Sequence, residues 1–271
     1  MKANFHTHST YCDGKDPQAL FVAKAKELGF ARLGFSSHAP VPGENDFAID
    51  EVQIPDYLKN IDILQSQNPD IELFKSLECD FIPDMTRPFQ YYTDQYKLDY
   101  IIGGVHLVRP SRHSDQLWFI DGSNREIYDA GLQNLFHNDI RKAVTVFWEQ
   151  TCEMIETQKF NIIAHLDKIK MHNQRRFFNQ SEKWYLELVD HTLSLIKAHD
   201  IIVEINTRGF YKGRCDEFYP SDCILEKMGK MGIRSLVSSD AHQSEELDLF
   251  YDEALNRLRQ FGVEVAEEFP F

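Results

Sequence analysis

The chain has 271 residues, 42% of them hydrophobic and 27% charged, proportions that exclude a disordered, collagen-like or fibrous chain and suffice for a buried core. Lys and Arg total 29 against 43 Asp and Glu, a formal net charge of −14; this disfavours a nucleic-acid binder, whose affinity rests on clustered basic residues. An anionic substrate stays compatible with that balance where metal ions or a few arginines reverse the field inside one cleft.

Short β-rich runs alternate with longer helical patterns along the whole chain. The runs are Ala3–His8, Arg32–His38, Glu72–Phe81, Tyr100–Val108, Asn161–Asp167, Ile201–Arg208 and Arg234–Asp240. Continuous apolar stretches such as Tyr100-Ile101-Ile102 and Ile201-Ile202-Val203 suit parallel strands buried on both faces. The first helix is predicted to open at Asp16-Pro17, to bury Phe21, Ala25 and Leu28 on one face, and to end at Gly29. Residues 110–140 show no clear period and are expected to form an inserted loop or lid. A later helix places Ile224, Met228 and Met231 on one side and stops at Gly232. The last is expected to start at Ser244, with Glu245 and Glu246 in its first turn, and to stripe Leu247, Tyr251, Ala254, Leu258 and Phe261. No linker and no repeat divides the chain, so it is expected to be one α/β domain spanning residues 1–271, its right-handed crossovers closing a barrel.

Five cysteines (Cys12, Cys79, Cys152, Cys215 and Cys223) include no C-x-x-C pair. No run approaches the roughly 18 apolar residues of a membrane helix, and MKANFHTHST has no apolar signal core. A reduced, cytoplasmic protein with neither a membrane nor a nucleic-acid partner is expected.

The ionisable residues carry the functional signal. His6, His8, His38, His106, His165 and His242 fall at or just beyond the C-terminal ends of the predicted strands, as do Glu78 and Asp240. In a parallel barrel these ends share the face where active sites are built. A lone H-x-H is more often incidental than a ligand pair. Six buried histidines without metals, however, would compete for few polar partners. Neutral imidazole and carboxylate suit Zn, Mn or Fe. His137, His191 and His199 lie in helical patterns and read as surface residues. His113 and His172 read as solvated.

In order along the chain, His6-Thr7-His8, Ser37-His38, Glu78, Gly104-Val105-His106, Ala164-His165-Leu166-Asp167 and Ser239-Asp240-Ala241-His242 resemble the motifs of the polymerase and histidinol phosphatase (PHP) family, from residue 6 to residue 242. The chain length, Cys12-Asp13-Gly14 and Glu204-Ile205-Asn206-Thr207-Arg208-Gly209 most resemble its monofunctional histidinol-phosphatase branch. The resemblance implies a distorted (β/α)7 TIM-like barrel holding two to three divalent metal ions and hydrolysing a small phosphate monoester, L-histidinol phosphate. It also implies metal ligands. His6, His8, Glu78 and Asp240 would hold one ion, Glu78 would bridge to a second held by His106 and His165, and His38 and His242 would hold a third. Asp13 stands where some members have a further histidine ligand to that third ion. Asp240 and His242 are the candidates for proton transfer, and Arg208, then Lys212, for the phosphate; Arg175 and Arg109 rank below them.

Other readings remain open at this stage. One keeps the fold and takes another small ester or a nucleoside bisphosphate. An amidohydrolase-type barrel also begins with H-x-H but usually bridges its metals with a lysine after the fourth strand, where this chain has His106. A degenerate, non-catalytic metal-binding barrel would be marked by lost ligands.

Overall fold

The computed structural model describes residues 2–267 and 269. In chain order its elements are β1 (Ala3–Asn4), α1 (Gln18–Glu27), β2 (Arg32–His38), α2 (Ile54–Gln67), β3 (Glu72–Asp80), α3 (Phe89–Gln95), β4 (Tyr100–Gly104), β5 (Leu107–Val108), β6 (Trp118–Phe119), α4 (Arg125–Phe136), α5 (Ile140–Thr157), β7 (Ile162–Ile163), α6 (Lys183–Ala198), β8 (Ile202–Asn206), α7 (Arg208–Tyr211), α8 (Asp222–Met231), β9 (Ser235–Ser238) and α9 (Tyr251–Gln260). Seven strands form one sheet in the order β1-β2-β3-β4-β7-β8-β9, and every neighbouring pair in it is parallel. The gap between first and last strand is spanned by a parallel bridge from Thr7 to Ala241, where His8 N–H donates to the Ala241 carbonyl at 2.8 Å. The result is the expected distorted, nearly closed seven-stranded α/β barrel.

Side chains alternate across each strand, and this divides the apolar runs between two cores. Phe5, Ile102, Ile162, Ile202 and Leu236 fill the barrel interior. Their neighbours Ile101, Ile163, Val203 and Val237 pack outward against the helices. Because partners in register share a face, the inward row continues from apolar to polar: Ile102 pairs with Glu78 and Leu236 with Glu204. The closed end of the barrel is thus hydrocarbon and the open end carboxylate and imidazole.

Three expectations need correction. The strands at the site are shorter than the sequence runs, because β1, β4 and β7 stop at Asn4, Gly104 and Ile163 and leave their histidines on the following loops. Residues 110–140 are irregular only in part, since they carry β6, which pairs antiparallel with β5, and α4. Trp118, Tyr128, Leu132 and Phe136 of this segment are buried in the outer core; the polar spacer between the strand and the helix hides their common face from a window of fixed period. The last helix is broken. Ser244–Glu246 form one 3-10 turn, and Phe250 at φ 60° separates it from α9. A left-handed residue cannot continue a right-handed helix.

Candidate metal centre

The open end of the barrel gathers every histidine predicted for the site. Glu78, 1% exposed, lies at its middle. Its Oε2 is 3.1 Å from His6 Nε2, 3.4 Å from His8 Nε2 and 3.0 Å from His38 Nδ1. Its Oε1 is 3.0 Å from His165 Nε2 and 3.6 Å from His106 Nε2. Asp240 Oδ1 sits 3.3 Å from His8 Nε2 and 3.8 Å from His6 Nε2. Asp13 Oδ2 lies 3.1 Å from His242 Nε2. Donor atoms close enough to share an ion form three sets: His6, His8 and Asp240; His38, Glu78 and His106; and His8, Asp13, His38 and His242. His165 joins the middle set through Glu78 and His106.

Local backbone devices place these groups. A Cβ on Gly14 would lie 2.4 Å from Ser9 N and 2.6 Å from His8 C, so only glycine lets the loop fold back onto the H-x-H backbone and carry Asp13 to His242. His165 and Asp240 occupy positive φ, at 28° and 50°. Such strain costs on the order of 1–3 kcal/mol per residue and concentrates at functional sites.

The donor atoms fit cations better than they fit one another. His6 Nε2, His8 Nε2, Glu78 Oε2 and Asp13 Oδ1 are buried without a hydrogen-bond partner, and His106 Nε2 faces His165 Nε2 at 3.0 Å. Buried polar atoms are normally paired, and ions bound at the three sets are the partners that would satisfy them. Opposite ring nitrogens are held at His6 and His242. His6 Nδ1 meets Glu204 Oε2 at 2.8 Å and His242 Nδ1 meets the Asp240 carbonyl at 3.0 Å, whereas His106 Nδ1, 3.4 Å from Asp80 Oδ2, makes no hydrogen bond among the described residues. Metal-ligating histidines are commonly oriented this way.

The electrostatics agree. Burial would lower the His6 pKa, but Glu204, Glu78 and Asp240 outweigh it and raise it to about 10; a field that holds a proton there also favours a cation. Burial, with His8 and His106 beside it, pushes His38 down to about 3, so its imidazole is neutral and its lone pair free. Burial would raise the Glu78 and Asp240 carboxyls, yet nearby imidazoles hold both well below the usual carboxylate range.

Beside the donors opens a cavity of about 220 Å³, walled by Asp13, His38, His106, Asp240 and His242 together with Lys168, Arg208 and Arg214. Arg208 Nη1 donates to the Asp240 carbonyl at 2.9 Å and lies 3.4 Å from Glu246 Oε2. Lys212 stands off this wall, with its ammonium on Glu246. Arg175 pairs with Asp216 at the surface. Arg109 is tied to the carbonyls of Pro83, Arg112 and Ser114. His137, His191 and His199 are exposed as expected. His172 is not solvated; it is 5% exposed, near the Asp121 carbonyl.

Sequence reasoning gave no site role to Lys168, Arg214, Asp121, Asp80 or Glu204, the last noted only within the Glu204–Gly209 motif. Period-two parity along β3 and β8 carries a signal for the last two, since Glu78 and Asp80 share a face, as do Ile202 and Glu204. Arg214 makes no ion pair or hydrogen bond through its guanidinium among the described residues, and nothing in its local sequence sets it apart.

Comparison with known proteins agrees with this architecture. A histidinol-phosphatase of Bacillus subtilis is 22% identical over 271 residues, covering 95% of this chain and 99% of the relative. The hisK chain of Listeria monocytogenes superposes with a TM-score of 0.79 at 21% identity, covering 93% of this chain and 99% of that one. The Lactococcus lactis histidinol phosphate phosphatase, crystallised with zinc, L-histidinol and phosphate, superposes at 0.71 with 19% identity over 97% and 95% of the two chains. At these identities the structures establish the shared fold. The family model for the PHP domain matches residues 4–208, three quarters of the chain and all the donors up to His165. This chain is a member of the PHP domain family.

Proposed function

We propose that this protein is a metal-dependent phosphomonoesterase that hydrolyses L-histidinol phosphate to L-histidinol and phosphate, a step of histidine biosynthesis, in the cytoplasm. The observation that carries the reading is the Glu78 carboxylate, buried among five imidazoles, with its own Oε2 and the facing Nε2 of His6 and His8 left without a hydrogen-bond partner among the described residues. The names of the relatives support the substrate, and the open cavity supports a small ester in place of a polymer. The ligands in this reading are His6, His8, Asp13, His38, Glu78, His106, His165, Asp240 and His242, for two to three ions of zinc, manganese or iron.

When bound, such ions polarise phosphoryl oxygens and lower the pKa of water at neutral pH. The chain supplies the rest. Arg208 is assigned the phosphate contact, with Lys212, which stands off the cavity wall, second; both side chains pair with Glu246. His6 and Arg208 keep Asp240 ionised, after burial is outweighed. Its carboxylate takes a proton from the attacking water and returns it to the leaving alkoxide, which otherwise departs as a strong base. His242, two residues on, is the second candidate for that transfer.

The test compares phosphate release from L-histidinol phosphate, p-nitrophenyl phosphate and a nucleoside bisphosphate. A kcat/KM above about 10⁴ M⁻¹s⁻¹ for L-histidinol phosphate, far exceeding the other two, is expected. Slow, indiscriminate hydrolysis would overturn the substrate assignment.

A further inference from the structure

The cavity beside the donor cluster is lined mostly by ionisable side chains, yet one stretch of its wall is aromatic. Phe47, from the loop after β2, and Phe119, on β6, both line it. Their rings are nearly parallel, 18° apart with centroids separated by 6.2 Å. Neither belongs to a hydrophobic core cluster, and both are half-buried. Phe47 also stands edge-on to His38 at 5.3 Å, so the wall begins at the donors themselves. On the other side Gly122, at φ 79°, leaves room for Phe119, whose Cε1 a Cβ at this position would approach to 3.0 Å. Two segments remote in sequence thus hold large apolar side chains out of the core and against a polar cavity, an arrangement that gains stability only when something apolar covers them.

We infer that Phe47 and Phe119 are the specificity wall of the site, receiving a flat ring carried by the alcohol part of the ester while the phosphate lies at the donors. The inference rests on the phosphomonoesterase reading and deepens it, because it names what is recognised beyond the phosphate. A third aromatic ring joining the pair gains contact energy that an open-chain alcohol of similar size does not.

Phe119→Leu and Phe47→Leu keep apolar volume and remove the ring. Their turnover is compared on L-histidinol phosphate, phenethyl phosphate and propyl phosphate. The preference for each ring ester over the propyl ester, taken as a ratio of kcat/KM values, is expected to fall roughly five- to ten-fold in either variant, mainly through KM. An unchanged ratio overturns the wall. A wild-type enzyme that hydrolyses all three equally well also overturns it and leaves the phosphatase reading standing. Calorimetric binding of L-histidinol supplies a readout without turnover, with about the same loss of affinity expected in Phe119→Leu. Equal affinity in wild type and variant overturns the wall, whether or not the ester is hydrolysed. If no ester is hydrolysed but L-histidinol binding still weakens in the variant, the wall stands and the phosphatase reading falls.

Discussion

His6 Nδ1 lies 2.8 Å from Glu204 Oε2, with both side chains completely buried. The contact fixes which ring nitrogen of His6 carries the proton and turns Nε2 toward Glu78 and Asp240. Glu204 Oε1 meanwhile accepts from the His165 backbone N–H at 2.9 Å, so one carboxylate orients two of the proposed ligands, on the loops after β1 and β7. Glu204→Gln is expected to weaken metal affinity by about 10- to 100-fold, measured by competition against a chelating dye. Unaltered affinity would show that Glu204 is only a packing residue.

Gly14 makes a second prediction. Its missing side chain lets the loop close on the His8–Ser9 backbone, and that closure brings Asp13 to His242. Gly14→Ala should displace Asp13 and selectively weaken one ion of the set. The expected result is a lower metal count by atomic emission, with the β/α circular dichroism retained. A full complement of metal in this variant would remove Asp13 from the ligands.

Away from the candidate metal centre, Lys170 and Asp167 form a buried pair at 3.0 Å, their side chains 1% and 0% exposed. Burial would lower the lysine pKa, but Asp167, Cys215 and Glu217 outweigh it and raise it. A raised folded-state pKa gives stabilisation that is complete below the unfolded value, near 10.4, and is lost as pH climbs through the folded one. Lys170→Met leaves Asp167 unpaired and should cost about 3–5 kcal/mol. The Tm gap to wild type should stay constant from pH 6 to 9 and narrow only above about pH 10.4. A gap that closes between pH 6 and 9 would mean another group controls this region.

Much of this architecture was legible in the sequence because two simple rules govern it. Buried parallel strands such as Ile201-Ile202-Val203 read as continuous apolar runs, and parallel topology sends the residues after each run to one face. His38 and Glu78 followed from those rules as strand-end residues, and the structure places them 3.0 Å apart. What stayed hidden depends on contacts between remote segments. Phe47 and Phe119 are unremarkable in their own neighbourhoods and meet only after folding, and Glu246 draws in Arg208 and Lys212 from a broken helix. The break at Phe250 leaves no mark on the sequence pattern, because the apolar stripe of Leu247, Ala254 and Leu258 runs unbroken through it, and all three are buried.

The central claim is that this cluster is a metal centre and that the metals drive phosphate release. The most direct measurement strips the protein with a chelator, adds back Mn²⁺ or Zn²⁺ in counted equivalents, and follows phosphate release from L-histidinol phosphate together with bound metal. The account predicts negligible turnover without metal and a rise to a plateau at two to three ions per chain, with His8→Ala failing to recover. Full turnover by protein carrying less than about one ion per ten chains would contradict it.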